Sequence, residues 1–567
     1  MRHTRFRMAP VAALLVLWFS GDNARGQAVS PERLSAIRTQ LSDVKKLLDR
    51  LPAQTRRHLS SGAQNTLQLA EHWDEIELAL ETGPVGTLMQ RRFALPVGRA
   101  ALDDVIPVSN PATDFLFSIL GGFTQSETST AWCGNNLVVG FNDSGSLLES
   151  ILFGPGGSSF TGSGFSTDGG FTFRDTGFIN PGTFPQLAGD PTVNCIDSST
   201  FYYTQLLYIP SPGGGYRPTV GLSISTDGGM SWASPIRVVD TTFADSFLDK
   251  PWSTVDPSSK EIFVTYTEFN YLGPCFSWVG IELVHSADGG ANWSTPIEID
   301  HGCGIGFAST YLVQGSQVAI DSKGAVYVAY EAFTTATPTR EMRIAKSTDH
   351  GMSFLPFVKI DNITPAGDGV SIQGLIRNNE FPTLAIDRSG TASDGTVYVA
   401  WNDGRTMTVR DAGAPNGVYG YSDILLSRST DGGKTWSGPI RVNSNPIALP
   451  NGHAIDRFQP AAAVDKDGRL AVCWYGRGRD AMNYNVSRAC GVSLDRGATW
   501  SVKPATSSSW PPIHATDAFV DAYYLGDYDQ LSSDFTKSNS GFAGAFGAVT
   551  TSGVFVPNQD VFLKRIP

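Results

Sequence analysis

Six near-copies of one octapeptide govern what this chain can fold into: STDGGFTF (166–173), STDGGMSW (225–232), SADGGANW (286–293), STDHGMSF (347–354), STDGGKTW (429–436) and SLDRGATW (493–500). Their first serines are 59, 61, 61, 82 and 64 residues apart. Repetition on that scale means one supersecondary unit used repeatedly, stacked or set in a ring, rather than independent domains. Within each copy the aspartate accepts hydrogen bonds from nearby backbone N–H groups, a glycine takes positive φ, and the closing aromatic buries beside the turn. Each octapeptide therefore reads as a hairpin turn.

A second pattern surrounds each copy. In "FPTLAIDRSGTASDGTVYVAWNDGR" (381–405) a strand, an Asp/Gly turn and a second strand precede the octapeptide hairpin, and the pattern recurs at 250–268, 316–331 and 459–480, with weaker copies at 129–143 and 190–205. With 60 glycines, 11% aromatic residues and only 17% charged ones, the composition suits many short strands joined by tight turns. Four strands per unit make a propeller blade, so the fold class is all-β, a β-propeller of about seven four-stranded blades, with six as the alternative. The seventh blade, at 526–550 and 560–566, lacks an octapeptide and a fourth strand. "DVIPVSNPATD" (104–114) resembles the fourth-strand segments elsewhere, and would close the ring from the other end of the chain and remove its sheet edges.

Ahead of the ring the period changes. Leu34, Ile37, Leu41, Val44, Leu48 and Leu51 recur at alternating steps of three and four behind Ser30 and Pro31, and Leu69, Trp73, Ile76 and Leu80 repeat similarly. The spacing predicts a short α-helical hairpin, either a packing appendage or an element for a protein partner or self-association through residues 30–82. At the start, Arg2, Arg5 and Arg7 precede an apolar run from Val11 to Phe19 and the small-residue site Ala24-Arg25-Gly26, the pattern of an export signal. The expected organisation is thus a signal peptide over 1–26, a helical extension over 27–92 and the propeller over 93–567, in a secreted or periplasmic protein.

Losing that signal would remove four arginines and one aspartate, moving the formal net charge from −12 to −15. Such a surface repels phosphate backbones and anionic lipid, which argues against nucleic acid as a partner, and no later apolar stretch has the length of a membrane span. Six cysteines fit an oxidising compartment. Cys473 with Cys490, Cys275 with Cys303, and Cys133 with Cys195 are the expected pairs, against free buried thiols as the alternative. No Cys-x-x-Cys or His-x-x-x-His spacing occurs, so no metal site or cofactor is expected, although the sequence leaves a calcium ion in the channel undecided.

The octapeptide in this setting resembles the Asp-box, or BNR repeat, and the chain from about 100 to 567 is similar to propellers of the sialidase superfamily. The resemblance implies the fold. For activity it implies three arginines that hold a substrate carboxylate, a Tyr–Glu pair as nucleophile and an Asp as acid/base. The Arg-Ile-Pro stretch that supplies the first arginine in sialidases is missing before the first Asp-box, where this chain reads "SETSTAW" (126–132); its one Arg-Ile-Pro is residues 565–567.

Strand direction places the loops entering each inner strand and those leaving each second strand together at the top of the channel. Asp190, Asp249, Lys250, Arg377, Glu380, Asp456, Arg457, Asp527 and Tyr528 fall on the former. Asp143, Glu268, Glu331, Asp403, Arg405, Arg477, Arg479 and Asp480 fall on the latter. Paired carboxylates divide acid and nucleophile roles when their surroundings separate their pKa values, and arginine forks grip carboxylates. The expectation is an exported sialidase-like glycoside hydrolase acting on an anionic glycan. In it Arg377, Arg405 and Arg457 bind substrate, Tyr528 is nucleophile with Glu331 or Glu380 as its base, and Asp190 or Asp249 is the acid/base. The alternatives are a non-catalytic propeller that binds glycan or protein, and a polyuronide lyase with His453 as base.

Overall fold

The computed structural model describes residues 31–50, eight positions between 56 and 77, 105–110, and 123–567 apart from 155, 212–214, 240–245, 271–276, 305–310, 335–339, 413–416, 445–453, 479, 481, 513–516, 518–519, 521–523 and 551–557. The expected export signal, the domain boundary at 92/93, Leu51, Leu69, Ile76, Leu80, Cys275, His453 and Arg479 lie outside the described residues.

Seven sheets form the ring, antiparallel but for one short parallel pair, Ser158–Ser159 with Gln186–Leu187. Numbered from their inner strands, blade 1 starts at Gln125–Cys133, blade 2 at Thr192–Cys195, blade 3 at Phe247–Val255, blade 4 at Tyr311–Ile320, blade 5 at Thr383–Ile386, blade 6 at Arg457–Val464 and blade 7 at Leu531–Ser533. Each inner strand packs beside the next, and that of blade 7 returns to that of blade 1. Closure comes from the N-terminal side as expected: Ile106–Pro107 is the outer strand of blade 7, with Ile106 opposite Leu563 and Pro107 opposite Phe562. Seven blades, not six, complete the circle.

The octapeptides build the turns from third to fourth strand. In the second copy Asp227 accepts from the Ser225 hydroxyl (2.8 Å) and the Ser231 backbone N–H (2.9 Å), while the Ser225 hydroxyl accepts from Gly229 N–H (2.9 Å). The same bonds recur in the other copies, and with little burial they hold the carboxylates of Asp168, Asp288, Asp349 and Asp495 down at about 2. The closing aromatic also ties blades together. Trp232 Nε1 donates to the Ser163 hydroxyl of blade 1 (3.0 Å), and its ring stands edge-on to Tyr203 at 5.2 Å.

Cys133–Cys195 staples the inner strands of blades 1 and 2, and Cys473–Cys490 joins directly opposed residues of blade 6. Cys303 is disulfide-bonded too. Helix α1 (Pro31–Leu48) matches the expected period, and the described residues from 67 to 77 are helical. Arg38 pairs with Asp74 (2.7 Å) across the two helical stretches. The apolar side of α1 is covered by its own chain: Leu34 and Leu41 pack with Trp73, Phe123 and Tyr524, and Val44 and Leu48 pack with Tyr208 and Phe247.

Helix α2 (Ser144–Phe153) was not foreseen. It is inserted after the second strand of blade 1, where Asp143 caps it by accepting from Gly145 N–H (2.9 Å) and the Ser146 hydroxyl (2.6 Å). The long step of 82 residues between the fourth and fifth octapeptides has its own cause. Blade 5 carries an extra hairpin, Ser371–Ile372 with Ile376–Arg377, and a long pair of strands, Val397–Arg410 with Val418–Ser429. The extra hairpin delivers Arg377 to the channel mouth.

Candidate active site

Inner strands enter the ring through a bulge, and the first bulge residue is left-handed: Glu127 (φ 52°), Lys250 (51°), Gly315 (68°) and Gln459 (53°), with Asp190 (55°) in the same place before blade 2's inner strand. For a residue with a Cβ this conformation costs about 1–2 kcal/mol, so surrounding bonds must hold it. Here they do, and the bulge re-aims charged side chains into the channel mouth.

Glu127 is the hub. Its carboxylate accepts from Asn142 Nδ2 (2.8 Å), from Asp527 N–H (3.1 Å) and from the Tyr524 hydroxyl. Asn142 also accepts from Asp190 N–H (2.8 Å), which fixes the left-handed turn. Asp527 takes Arg377 Nε (3.0 Å) and Asn379 Nδ2 (3.1 Å) on one oxygen, and Lys250 Nζ and Arg377 Nη2 on the other. The Arg377 guanidinium lies 4.7 Å from the centre of the Tyr524 ring, and its remaining Nη1 donates to the backbone carbonyl of Leu59 (2.8 Å). Two glycines permit this crowding: a Cβ on Gly526 would lie 2.9 Å from Glu127 N, and one on Gly189 2.2 Å from Asn142 Oδ1.

Most of these groups are inside the protein, with Arg377 and Asn379 half-buried at the edge. Glu127, Asp190 and Asp249 are fully buried, and Lys250, Tyr524 and Asp527 nearly so. Burial opposes the charge of Asp527, but Arg377 and Lys250 outweigh it and keep its carboxyl well below the usual range. Lys250 is held above its ordinary value in spite of burial, by Asp527, Asp249 and Glu127. Asp190 goes the other way. Burial, then the negative charge of Glu127, push it well above the carboxylate range against the pull of Lys250. Neither of its carboxyl oxygens has a hydrogen-bond partner. One carboxyl that keeps its proton beside one that cannot hold it is the division of labour that acid/base chemistry needs.

The expected site residues divide into those brought together and those kept apart. Asp190, Arg377 and Tyr528 share the mouth with Lys250 and Asp527. Asp249 adjoins them, its Oδ2 3.5 Å from Gln314 Nε2. Tyr528 lines the channel: its hydroxyl donates to the Pro191 carbonyl (3.1 Å) and its ring stands edge-on to Trp252 at 5.2 Å. Glu331 and Glu380 are not its partners. Both bind Arg340 between blades 4 and 5, so the expected pairing with Tyr528 is corrected. Burial holds both glutamates above their usual range in spite of that arginine.

The three arginines do not converge either. Arg405 is clamped by Asp403 and Asp361 (2.7 Å each), and Arg457 by Asp423 (3.2 Å) and the Ile455 carbonyl (3.0 Å). Arg377 is the one of the three at the central cluster, because each of the other two meets a carboxylate of its own blade or the blade before it.

Two residues escaped the sequence reading, Glu127 and Tyr524. Glu127 had a signal: "SETS", "GDPT" and "DKPW" place 127, 190 and 250 at one bulge position. Tyr524 stands in a connecting segment with no repeat to register it, and only the fold brings it to Glu127.

No family model matches the chain, and no curated protein matches it. Solved structures do. A Hadza microbial sialidase aligns at 16% identity over 66% of this chain and 65% of its own, with a TM-score of 0.38. A Penicillium chrysogenum alpha-L-arabinanase complexed with arabinobiose aligns at 14% over 65% of this chain and 90% of its own, at 0.39. A polysaccharide lyase, an ulvan lyase bound to a glucuronic acid–sulfated rhamnose unit, aligns at 10% over 78% and 94%, at 0.46. The aligned part of this chain thus spans just under two thirds of the sialidase. Likenesses at these scores carry nothing about chemistry, and the seven-blade ring is read from the chain's own sheets.

Proposed function

We propose that this chain is an exported glycoside hydrolase of the sialidase type, acting on an anionic glycan at the mouth of the propeller channel. One observation carries the reading: the Tyr524 hydroxyl donates to Glu127 beneath Arg377, and Asp190, its carboxyl pushed up by burial and by Glu127, adjoins them. This is a Tyr–Glu pair with an Asp of the kind that the sialidase resemblance implies, built from Tyr524 and Glu127 instead of Tyr528 and Glu331 or Glu380.

In the first step the Tyr524 oxygen attacks the anomeric carbon while Glu127 takes the phenolic proton and Asp190 gives its proton to the departing glycosidic oxygen. The carbon–oxygen bond to the aglycone breaks and a tyrosyl glycoside forms. In the second step a water gives a proton to Asp190 as its oxygen attacks the same carbon, and Glu127 returns the proton to the leaving phenolate. Burial, with the charges of Asp527 and Glu127, keeps the Tyr524 phenol protonated at rest, against the pull of Arg377. The phenol therefore depends on its base at the moment of attack. Arg377 is the group that would receive the sugar carboxylate, exchanging the Leu59 carbonyl for a stronger, charged acceptor.

The disulfides support export, since such bridges persist in oxidising compartments. Among the described residues no helix is long and apolar enough to cross a membrane. A second reading, a propeller that binds a glycan or a protein without catalysis, is favoured by the burial of every acid at the mouth. Turnover of a fluorogenic sialic-acid glycoside separates the two. The hydrolase reading expects release by the purified chain, loss in Tyr524→Phe and retention in Tyr528→Phe. No release by the parent chain, even with the mouth opened, supports the binding reading.

A further inference from the structure

Asp190 has no exposed surface, and described residues of the chain's N-terminal segment contact its neighbours at the mouth. Leu59 is fully buried and its carbonyl occupies Arg377 Nη1. Val44 and Leu48 of α1 join Leu59 in the apolar cluster that contains Tyr528, while Leu34 and Leu41 join the cluster that contains Tyr524. Beside Leu41, Gln40 Nε2 donates to Gln186 Oε1 (2.7 Å) in a buried contact, four residues before Asp190. The segment thus shares one apolar cluster with each tyrosine and is hydrogen-bonded to the loop that leads into the acid.

We propose that α1 and Leu59 form an autoinhibitory cap, closed in this structure, which must lift before a ligand reaches the channel mouth. What it would admit rests on the hydrolase reading; that it closes the mouth does not. A main-chain carbonyl is neutral and a weaker partner for a guanidinium than a carboxylate is, so an anionic ligand replaces Leu59 with a gain at Arg377. Apparent affinity is then the intrinsic affinity multiplied by the fraction of molecules that are open, and whatever loosens the cap raises it.

The test is a full-length Val44→Ala/Leu48→Ala variant, which removes buried methyl groups from the cap and leaves Glu127, Asp190, Arg377, Tyr524 and Asp527 unchanged. Carbodiimide with a small amine modifies carboxyl groups that carry a proton, so its rate at Asp190, read by peptide mass spectrometry, reports access without needing turnover. Hydrogen exchange over residues 31–48 reports whether α1 has loosened. The variant is expected to label Asp190 about tenfold faster or more, a modest share of what two such truncations cost a packed core. Faster labelling with a matching rise in glycoside release supports the cap and the hydrolase together. Faster labelling with no release from either protein supports the cap and overturns the hydrolase. Faster exchange in α1 with Asp190 labelled at the parent rate overturns the cap, as does parent Asp190 labelled as fast as a surface carboxyl. Should the double variant fail to fold, Gln40→Ala, which deletes one side chain's hydrogen bond and leaves the apolar seat, is read in the same way.

Discussion

Replacing Asp190 by Asn should stabilise this protein at neutral pH and leave its stability unchanged in acid. The reason is linkage. An unfolded aspartate gives up its proton near pH 3.9, whereas burial and Glu127 make Asp190 keep its proton well above that in the folded chain. From about pH 4 upward, unfolding releases a proton that folding must recapture, so rising pH favours the unfolded chain by about 1.4 kcal/mol for each pH unit over which the folded carboxyl stays protonated. Asparagine has nearly the same shape, never ionises, and meets the same surroundings, in which neither carboxyl oxygen has a partner. Urea unfolding of parent and variant at a series of pH values should give coincident midpoints near pH 4 and a gap that widens toward pH 7 in favour of the variant. A gap that stays flat refutes the reasoning. A variant that falls behind as pH rises would mean that Asp190 is ionised and held by Lys250. The same substitution should cost turnover about 10²–10⁴-fold, the usual worth of a positioned proton donor.

The opposite behaviour is expected at Asp527, whose lowered pKa stabilises the fold above the unfolded value and is lost only as pH falls through the folded one. Asp527→Asn leaves Lys250 and Arg377 buried without their shared anion and should cost about 3–5 kcal/mol in urea unfolding. Tyr528→Phe removes one hydrogen bond to a backbone carbonyl, should cost about 1 kcal/mol, and should spare turnover. The two disulfides should differ: Cys133–Cys195 closes a separation of 62 residues and Cys473–Cys490 one of 17, so double serine variants should lose about 4 and about 3 kcal/mol by loop entropy, with the cross-blade staple the more costly.

Much of the ring was legible because hairpin chemistry repeats. Ser, Asp and Gly at fixed offsets form the same bonds six times, and the pairing of Ile106 with Leu563 follows from a blade one strand short. The mouth was legible as a region, since strand direction alone brings Asp190, Lys250, Arg377 and Asp527 to one end. Its pairings were not. Arg405 and Arg457 stand where an anion clamp is expected, but each has a carboxylate within reach that only strand register supplies: Asp361 and Asp403 for one, Asp423 for the other. Asp143 reads as a second-strand exit carboxylate, yet the helix that follows it makes it a cap. Tyr524 is separated from Glu127 by 397 residues and meets it through ring closure, which no local pattern encodes.

The central claim is that Tyr524 attacks the sugar while Glu127 takes its proton. The most direct measurement is intact-mass and peptide mass spectrometry of the cap-loosened chain after mixing with an activated sialic-acid donor carrying fluorine next to the anomeric carbon, which slows breakdown of a glycosyl-enzyme. The account predicts one sugar per chain, linked to the peptide that contains Tyr524 and absent in Tyr524→Phe. A sugar on Tyr528 or on a carboxylate, or no adduct on a chain that hydrolyses the substrate, would contradict it.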